Sequence, residues 1–300
     1  QALQTELAKR ELELPVVWGN RNWHPYMTDT LRDAHAFGAR RILVLLTSAY
    51  ASYSSTRQYH ENLAQALTDL GEIGEQMTLD VVRPFFNDPG FIAANAEAII
   101  EVRADLPGGL DGAHIAYVTH SIPITMQQAS EVSHPGYLQQ HEDVRATIDA
   151  DVAKNTGANV SSSLSYCSRS GPPSVPWLEP DINDHLEELA KSGVEKVVIA
   201  PIGFISDHME VIWDLDTEAV GTAKEHGLEV VRSSTAGIAP VFVTGLVDMI
   251  VERAARERGD TPDVPTRGKL GAYPDVARAD ANLMQHGKPT GNPVVATAQQ

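Results

Sequence analysis

Lys196-Val-Val-Ile-Ala-Pro-Ile202 runs straight into Gly203-Phe-Ile-Ser-Asp-His-Met-Glu210. The first part is a short, continuous apolar run of the kind that parallel sheets bury on both faces. The second part opens a helix, with Ser206 or Asp207 as the capping side chain and helical spacing from Asp207 to Glu225. A strand that hands over at once to a helix is part of a βαβ unit, and the alternation repeats outward in both directions. Downstream lie a strand near Leu228 to Arg232 and a helix from about Pro240 to Arg258. Upstream, strands are expected at Leu14 to Trp18, Arg40 to Thr47, Met77 to Val82, His114 to Thr119 and Ser162 to Tyr166. Helices are expected at Pro25 to Phe37, Ser54 to Leu70, Phe91 to Arg103, Glu142 to Thr156 and Ile182 to Ser192, with a polar insertion before the fourth of these. The class is α/β with parallel sheets.

The glycine-rich break Pro107-Gly-Gly-Leu-Asp-Gly112 marks a boundary between an N-terminal lobe, 1–110, and a C-terminal lobe, 111–239. Residues 259–300, with scattered Pro, Gly and Asn, read as a partly disordered tail. The 300 residues are 42% hydrophobic and 21% charged, an ordinary globular composition. A net charge of −17 without any basic run argues against nucleic acid as a partner. No apolar stretch approaches the roughly 20 residues of a membrane span. The first ten residues form an amphipathic pattern of mixed charge that lacks a signal peptide's basic start and apolar centre. The single cysteine, Cys167, permits neither an internal disulfide nor a cluster held by four thiolates. A monomer in a reducing, cytoplasmic setting is expected.

Ligands of open parallel sheets bind beyond the carboxyl ends of the strands, so the loops after strands are the ones to inspect. They are Gly19-Asn-Arg-Asn-Trp-His-Pro25, Thr47 to Tyr59 with its hydroxyls and aromatics, Thr119-His-Ser-Ile-Pro123, Tyr166 to Trp177, and Gly203 to Glu210. His120 suits a proton acceptor, because imidazole titrates nearest neutrality, although spacing alone favours a hydrogen-bonded loop histidine. Asp207, Glu210, Asp214 and Glu218 follow at intervals of three, four and four, which places them on one helical face. Such a stripe is either a solvated face or a path for cations and protons, and spacing alone favours the former. Ile212 and Trp213 between them are expected to point towards the core. No dinucleotide fingerprint, phosphate loop or nucleophile elbow is present.

These loops, in this order, resemble those of ferrochelatases, especially the actinobacterial kind. The likeness covers most of residues 1–260, and its most specific segments are Thr-His-Ser-Ile-Pro at 119–123 and Ser-Asp-His-Met-Glu at 206–210. The resemblance implies two flavodoxin-like, chelatase-type lobes, each a parallel sheet flanked by helices, with the active cleft between them. It implies that the C-terminal lobe carries the catalytic residues and that the helix at about 240–258 packs back on the N-terminal lobe. It maps the catalytic pair onto His120 and Glu210 and a further acidic position onto Asp214, these three being the metal-binding candidates. His208 and Glu218 are supporting, while Arg21, Tyr50, Tyr166, Ser54 and Arg57 fall at porphyrin-binding positions.

The implied reaction inserts Fe²⁺, as substrate, into a porphyrin in haem biosynthesis, with coproporphyrin III favoured and coprohaem as product. Neutral His120 would accept pyrrole protons, while Glu210 with Asp214 would form an acidic path for metal or protons. Many actinobacterial relatives hold a [2Fe–2S] cluster through a cysteine in the Ser-Tyr-Ser loop and three more near the C-terminus. Thr56 stands at the first position here and the C-terminal stretch has no cysteine, so no iron–sulfur cluster is expected. Relatives also begin with a strand and lip segment ahead of the helix that opens this sequence, and these are expected to be missing from it. The alternatives are a non-catalytic porphyrin- or haem-binding protein, or a sirohydrochlorin-type cobalt or nickel chelatase.

Overall fold

The computed structural model describes residues 1–132, 134–276, 278, 280–285, 288–289 and 294–295. Helices α1 (Ala2–Lys9) and α2 (Met27–Ala36) precede strand β1 (Arg41–Val44), and a π-helical turn, Tyr53–Arg57, leads into α3 (Gln58–Asp69) and the short α4 (Glu72–Glu75). Strand β2 (Thr78–Val81), α5 (Pro89–Glu101) and a 3₁₀ turn (Val102–Asp105) follow. Then come β3 (His114–His120), α6 (Ile124–Ser130), α7 (Tyr137–Thr156), β4 (Ser161–Cys167), α8 (Ile182–Lys191) and β5 (Lys196–Ala200). The chain continues through α9 (Met209–Val211), a π-helical segment (Ile212–Ala219), α10 (Val220–Glu225), β6 (Glu229–Arg232), α11 (Pro240–Glu257) and the antiparallel pair β7 (Met284–Gln285) and β8 (Lys288–Pro289).

The larger sheet is parallel, in the order β4-β3-β5-β6, and β1 pairs in parallel with β2 in a smaller one. Strand β3 shows why its sequence is apolar without interruption, since alternate side chains serve two different cores. Ile115 and Tyr117 join Phe91, Ile92 and Ile99 of α5, Val144 and Ile148 of α7, and Phe242 and Leu246 of α11. Ala116 and Val118 face the other way, onto Ile182 and Leu186 of α8 and onto Val211, Leu215 and Ala219. Helix α5 starts where Asp88 accepts hydrogen bonds from the Gly90 and Phe91 amides at 2.8 and 3.1 Å, with Pro89 at its first position. Helix α11 is tied to the smaller sheet by ion pairs, Arg253 with Asp80 at 3.1 Å and Arg83 with Glu252 at 3.1 Å.

Some elements depart from the sequence reading. Leu14 to Trp18 is not a strand: Pro15 offers no N–H, and the Gln4 side-chain amide donates to the Leu14 carbonyl and accepts from the Val16 N–H, each at 2.9 Å. The polar insertion contains helix α6, and α7 begins at Tyr137, whose N–H donates to Ser130 Oγ at 2.8 Å. Beyond α11, the Arg267 amide donates to the Asn87 carbonyl at 2.8 Å and the Lys269 amide to the Asp143 carboxylate at 2.9 Å. Part of the tail expected at 259–300 lies outside the described residues.

Phe91 is fully buried, with ring centroids 5.5 Å from Phe242, 5.9 Å from Phe85 and 6.1 Å from Tyr50. Phe91→Ala should cost about 3–5 kcal/mol of stability, read as a lowered urea midpoint. Two buried histidines give the fold an acid-sensitive side. His114 bonds to Ser161 and Ser163 at 2.8 and 2.7 Å, and burial pushes it down to about 4. His141, fully enclosed, is pushed down to about 3 by burial. Between the ordinary histidine value of about 6.5 and these lower ones the unfolded chain binds protons that the folded chain does not. The stabilisation is therefore full above that ordinary value and declines as pH falls towards 4, by up to about 1.4 kcal/mol per pH unit for each histidine. Urea midpoints measured from pH 7 to 4.5 should fall steeply, and less steeply in His114→Asn.

Candidate active site

Parallel pairing of β3 between β4 and β5 brings the carboxyl ends of these strands to one edge, and the site is built there. His120 ends β3 and lies opposite Cys167, the last residue of β4. The chain leaving β5 donates from the Gly203 amide to the Val118 carbonyl at 3.1 Å. A Cβ on Gly203 would sit 2.1 Å from Thr119 Oγ1, so only glycine lets this loop cross the end of β3. The loop then delivers Glu210, whose Oε1 lies 3.6 Å from His120 Nε2, with the two side chains 50% and 37% exposed.

One nitrogen of the imidazole is fixed by a hydrogen bond. His120 Nδ1 is 2.5 Å from the Ser121 carbonyl oxygen. A carbonyl only accepts, so Nδ1 carries the proton, and in the neutral ring Nε2 has a free lone pair directed to the Glu210 side. The backbone behind the ring is held by Tyr137, whose hydroxyl donates to the His120 carbonyl at 3.0 Å. Thr119 Oγ1 lies 2.8 Å from the Tyr137 hydroxyl and 2.8 Å from His141 Nε2, and His141 Nδ1 donates to the Tyr137 carbonyl at 2.7 Å. His141 is therefore a neutral bracing group rather than a second base.

The acidic stripe is shaped by an unusual helix. Its cap is His208, whose Nδ1 accepts from the Val211 amide at 3.4 Å, in place of the expected Ser206 or Asp207. From Ile212 the chain is π-helical, with i→i+5 bonding that alters which side chains share a face. Trp213 is consequently 56% exposed rather than core-facing, and its indole N–H donates to Glu218, five residues on, at 3.1 Å. Ile212 is also exposed. Asp214 accepts a short hydrogen bond from Ser168 Oγ, and Ser168 has a left-handed backbone, φ 59°, directly after β4. Asp207 and Asp216 pair with Arg232.

The residues expected at porphyrin-binding positions lie between Arg21 and Arg57, apart from Tyr166. Tyr166, near the end of β4, is buried, and that burial pushes its phenol up to about 12. Tyr50 is buried and stacks on His141 with centroids 3.5 Å apart. Its loop is clamped to α7 by Gln140, which accepts from the Ala51 amide at 2.8 Å and donates to its carbonyl at 3.2 Å. Ser54 lies in the π-helical turn with its hydroxyl 3.6 Å from Met126 Sδ. Arg57 is buried and paired with Glu61 at 2.9 Å, lining a cavity of about 30 Å³ with Thr56, His60 and Arg83. Arg21 donates to Gln58 at 2.6 Å and lies over the Tyr59 ring, 5.2 Å from its centroid. Hydrogen bonding thus brings His120 together with Thr119 and Tyr137, and Asp214 with Ser168, while Tyr50 and its loop contact α7 and Ser54 contacts α6. Sequence reading did not single out Tyr137, His141, Ser168 or Arg232 as functional. Only Ser168 carried a local signal, its place directly after a strand.

Comparison with known proteins matches the ferrochelatase family model to residues 1–254. The coproporphyrin III ferrochelatase of Streptomyces coelicolor is 51% identical over 278 residues, covering 90% of this chain and 74% of that protein. The coproporphyrin III ferrochelatase of Streptomyces griseus is 50% identical over 282 residues, covering 92% and 75%. Among solved structures, the sirohydrochlorin chelatase SirB from Bacillus subtilis subspecies spizizenii, in complex with cobalt, is similar in fold, with a TM-score of 0.52 at 14% identity over 86% of this chain and 92% of that one. The fold is that of the chelatases, and the chain belongs to the ferrochelatase family.

Proposed function

We propose that the chain inserts Fe²⁺ into coproporphyrin III, releasing two pyrrole protons and giving coprohaem. The observation that carries this reading is the His120 imidazole, with Nδ1 fixed on the Ser121 carbonyl and Nε2 3.6 Å from Glu210. Metal insertion needs a base that takes a proton from a pyrrole nitrogen, and a neutral imidazole with a free Nε2 is suited to it. Protonation of Nε2 creates an imidazolium facing the Glu210 carboxylate, so the proton is stabilised where it lands. From Glu210 the stripe continues to Asp214, held by Ser168, and to Glu218, which accepts from Trp213. Carboxylate oxygens suit Fe²⁺ and also pass protons to solvent, and the exposure of Glu210 keeps that path open.

Coproporphyrin III is preferred as substrate because the Streptomyces relatives at 50 and 51% identity carry that specificity in their names. The reading involves no iron–sulfur cluster. Cys167 is the only cysteine, and burial pushes its thiol up to about 12, which opposes thiolate ligation. The Thr56 hydroxyl is engaged with the Ser52 carbonyl at 2.7 Å. A chain with no disulfide to form suits the cytoplasm. Among the described residues no helix is long and apolar enough to cross a membrane.

The test is an anaerobic assay with Fe²⁺ and coproporphyrin III, following loss of the metal-free porphyrin spectrum. Many turnovers per chain are expected. His120→Ala should lower the rate by about 10²–10⁴-fold while leaving porphyrin binding intact. A one-to-one spectral shift without turnover would overturn the reading in favour of a porphyrin carrier.

A further inference from the structure

The segment that carries Glu210 and Asp214 is held at both ends by one side chain. Arg232 closes β6, whose register against Ile199 of β5 fixes its backbone in the large sheet. Its Nε and Nη2 donate to the two carboxylate oxygens of Asp216 at 2.6 and 2.9 Å, and its Nη1 donates to Asp207 at 2.9 Å. The Ser233 carbonyl accepts from the same Nη1 at 3.2 Å. The arginine side chain is 16% exposed and its two carboxylate partners 36% each, so the fork is backed by protein on the arginine side and open to water on the other.

Asp207 precedes Glu210 and Asp216 follows Asp214, so the candidate metal and proton carboxylates lie between the two anchors. Between those anchors the chain turns from a loop through a single turn of α-helix into π-helix. π-Helical geometry is rare and is retained where surrounding contacts hold it. Five carboxylates within residues 207–218 also repel one another, and that repulsion favours a looser, more open segment. A guanidinium that grips Asp216 with two parallel bonds and Asp207 with a third opposes both tendencies, and a lysine at the same place would keep the charge without the fork.

We propose that Arg232 is a positioning residue for iron delivery: by pinning Asp207 and Asp216 to the sheet it fixes where Glu210 and Asp214 stand relative to His120. This rests on the ferrochelatase reading above. The Arg232 guanidinium is committed to Asp207, Asp216 and the Ser233 carbonyl, so its effect should appear in the use of Fe²⁺ and not in porphyrin binding.

The experiment compares the full chain with Arg232→Gln, Arg232→Lys and Asp216→Asn in anaerobic steady-state assays, varying Fe²⁺ and coproporphyrin III separately, with thermal melts alongside. The expected result is a KM for Fe²⁺ raised about tenfold or more in both Arg232 variants, with the KM for porphyrin within about twofold of the parent. Asp216→Asn should shift KM for Fe²⁺ in the same direction, and combining it with Arg232→Gln should add little beyond Arg232→Gln alone. A parent-like KM for Fe²⁺ in Arg232→Lys would show that charge suffices and would overturn the proposal. So would variants that melt earlier yet keep the parent's kcat and both KM values, because that is a stabilising role only. Should the Arg232 variants fail to fold, Asp216→Asn decides, and an unchanged KM for Fe²⁺ overturns the proposal. A parent chain without turnover would overturn the ferrochelatase reading and this inference with it, whereas an active parent with unaffected variants overturns the inference alone.

Discussion

The chain leaving β5 crosses the end of β3 closer than any side chain permits, and Gly203 makes that crossing possible. The constraint follows from parallel pairing: neighbouring strands end at the same edge, so the loops beyond them compete for one small space. With a Cβ at 203 the loop would have to lift away from Thr119, carrying Glu210 away from His120. The short path from Gly203 to Glu210 thus converts a property of the sheet into a distance of 3.6 Å between an imidazole and a carboxylate. On the other side of β3, the exit of β4 contributes Ser168, whose left-handed backbone turns its hydroxyl onto Asp214. The imidazole and the carboxylates around it therefore come from adjacent exits of one sheet.

Charge and burial divide the polar residues into those that can change state and those that cannot. His141 and Tyr137 sit behind His120 with every ring nitrogen and hydroxyl engaged, and burial drives His141 towards neutrality and raises the Tyr137 phenol. They hold a shape. His120, Glu210 and Glu218 reach water. In the acidic segment, Asp207 and Asp216 are committed to Arg232, which leaves Glu210 and Asp214 as the carboxylates between the anchors. A stripe that looks uniform in sequence is thus partitioned by one arginine from the neighbouring strand.

Much of this architecture was legible in the sequence, because strands buried on both faces cannot be polar and so announce themselves as apolar runs. His114 to Thr119 and Lys196 to Ile202 were found on that ground, as were the loops that follow them. The exceptions have local causes. Leu14 to Trp18 has the composition of a strand, but its backbone is satisfied by the Gln4 side chain, a partner that no periodicity signals. Helix 209–225 was legible as a helix, whereas its π-helical stretch was not, since i→i+5 bonding leaves no mark on an apolar pattern, and Trp213 was therefore assigned to the core. His120 and Glu210 were visible through their motif context more than through spacing. Tyr137, His141 and Arg232 act through tertiary contacts between distant segments, and a single sequence carries no record of these.

The central proposal is that His120, with Nδ1 on the Ser121 carbonyl, presents an unprotonated Nε2 to the porphyrin. Nitrogen-15 NMR of the histidine-labelled chain, with His120 assigned by its absence in His120→Ala, measures this directly at a pH where the enzyme turns over. The account predicts the neutral Nδ1–H form, with Nε2 unprotonated in the porphyrin-bound state before metal is added. An Nε2–H tautomer, or an imidazolium in that state, would contradict it.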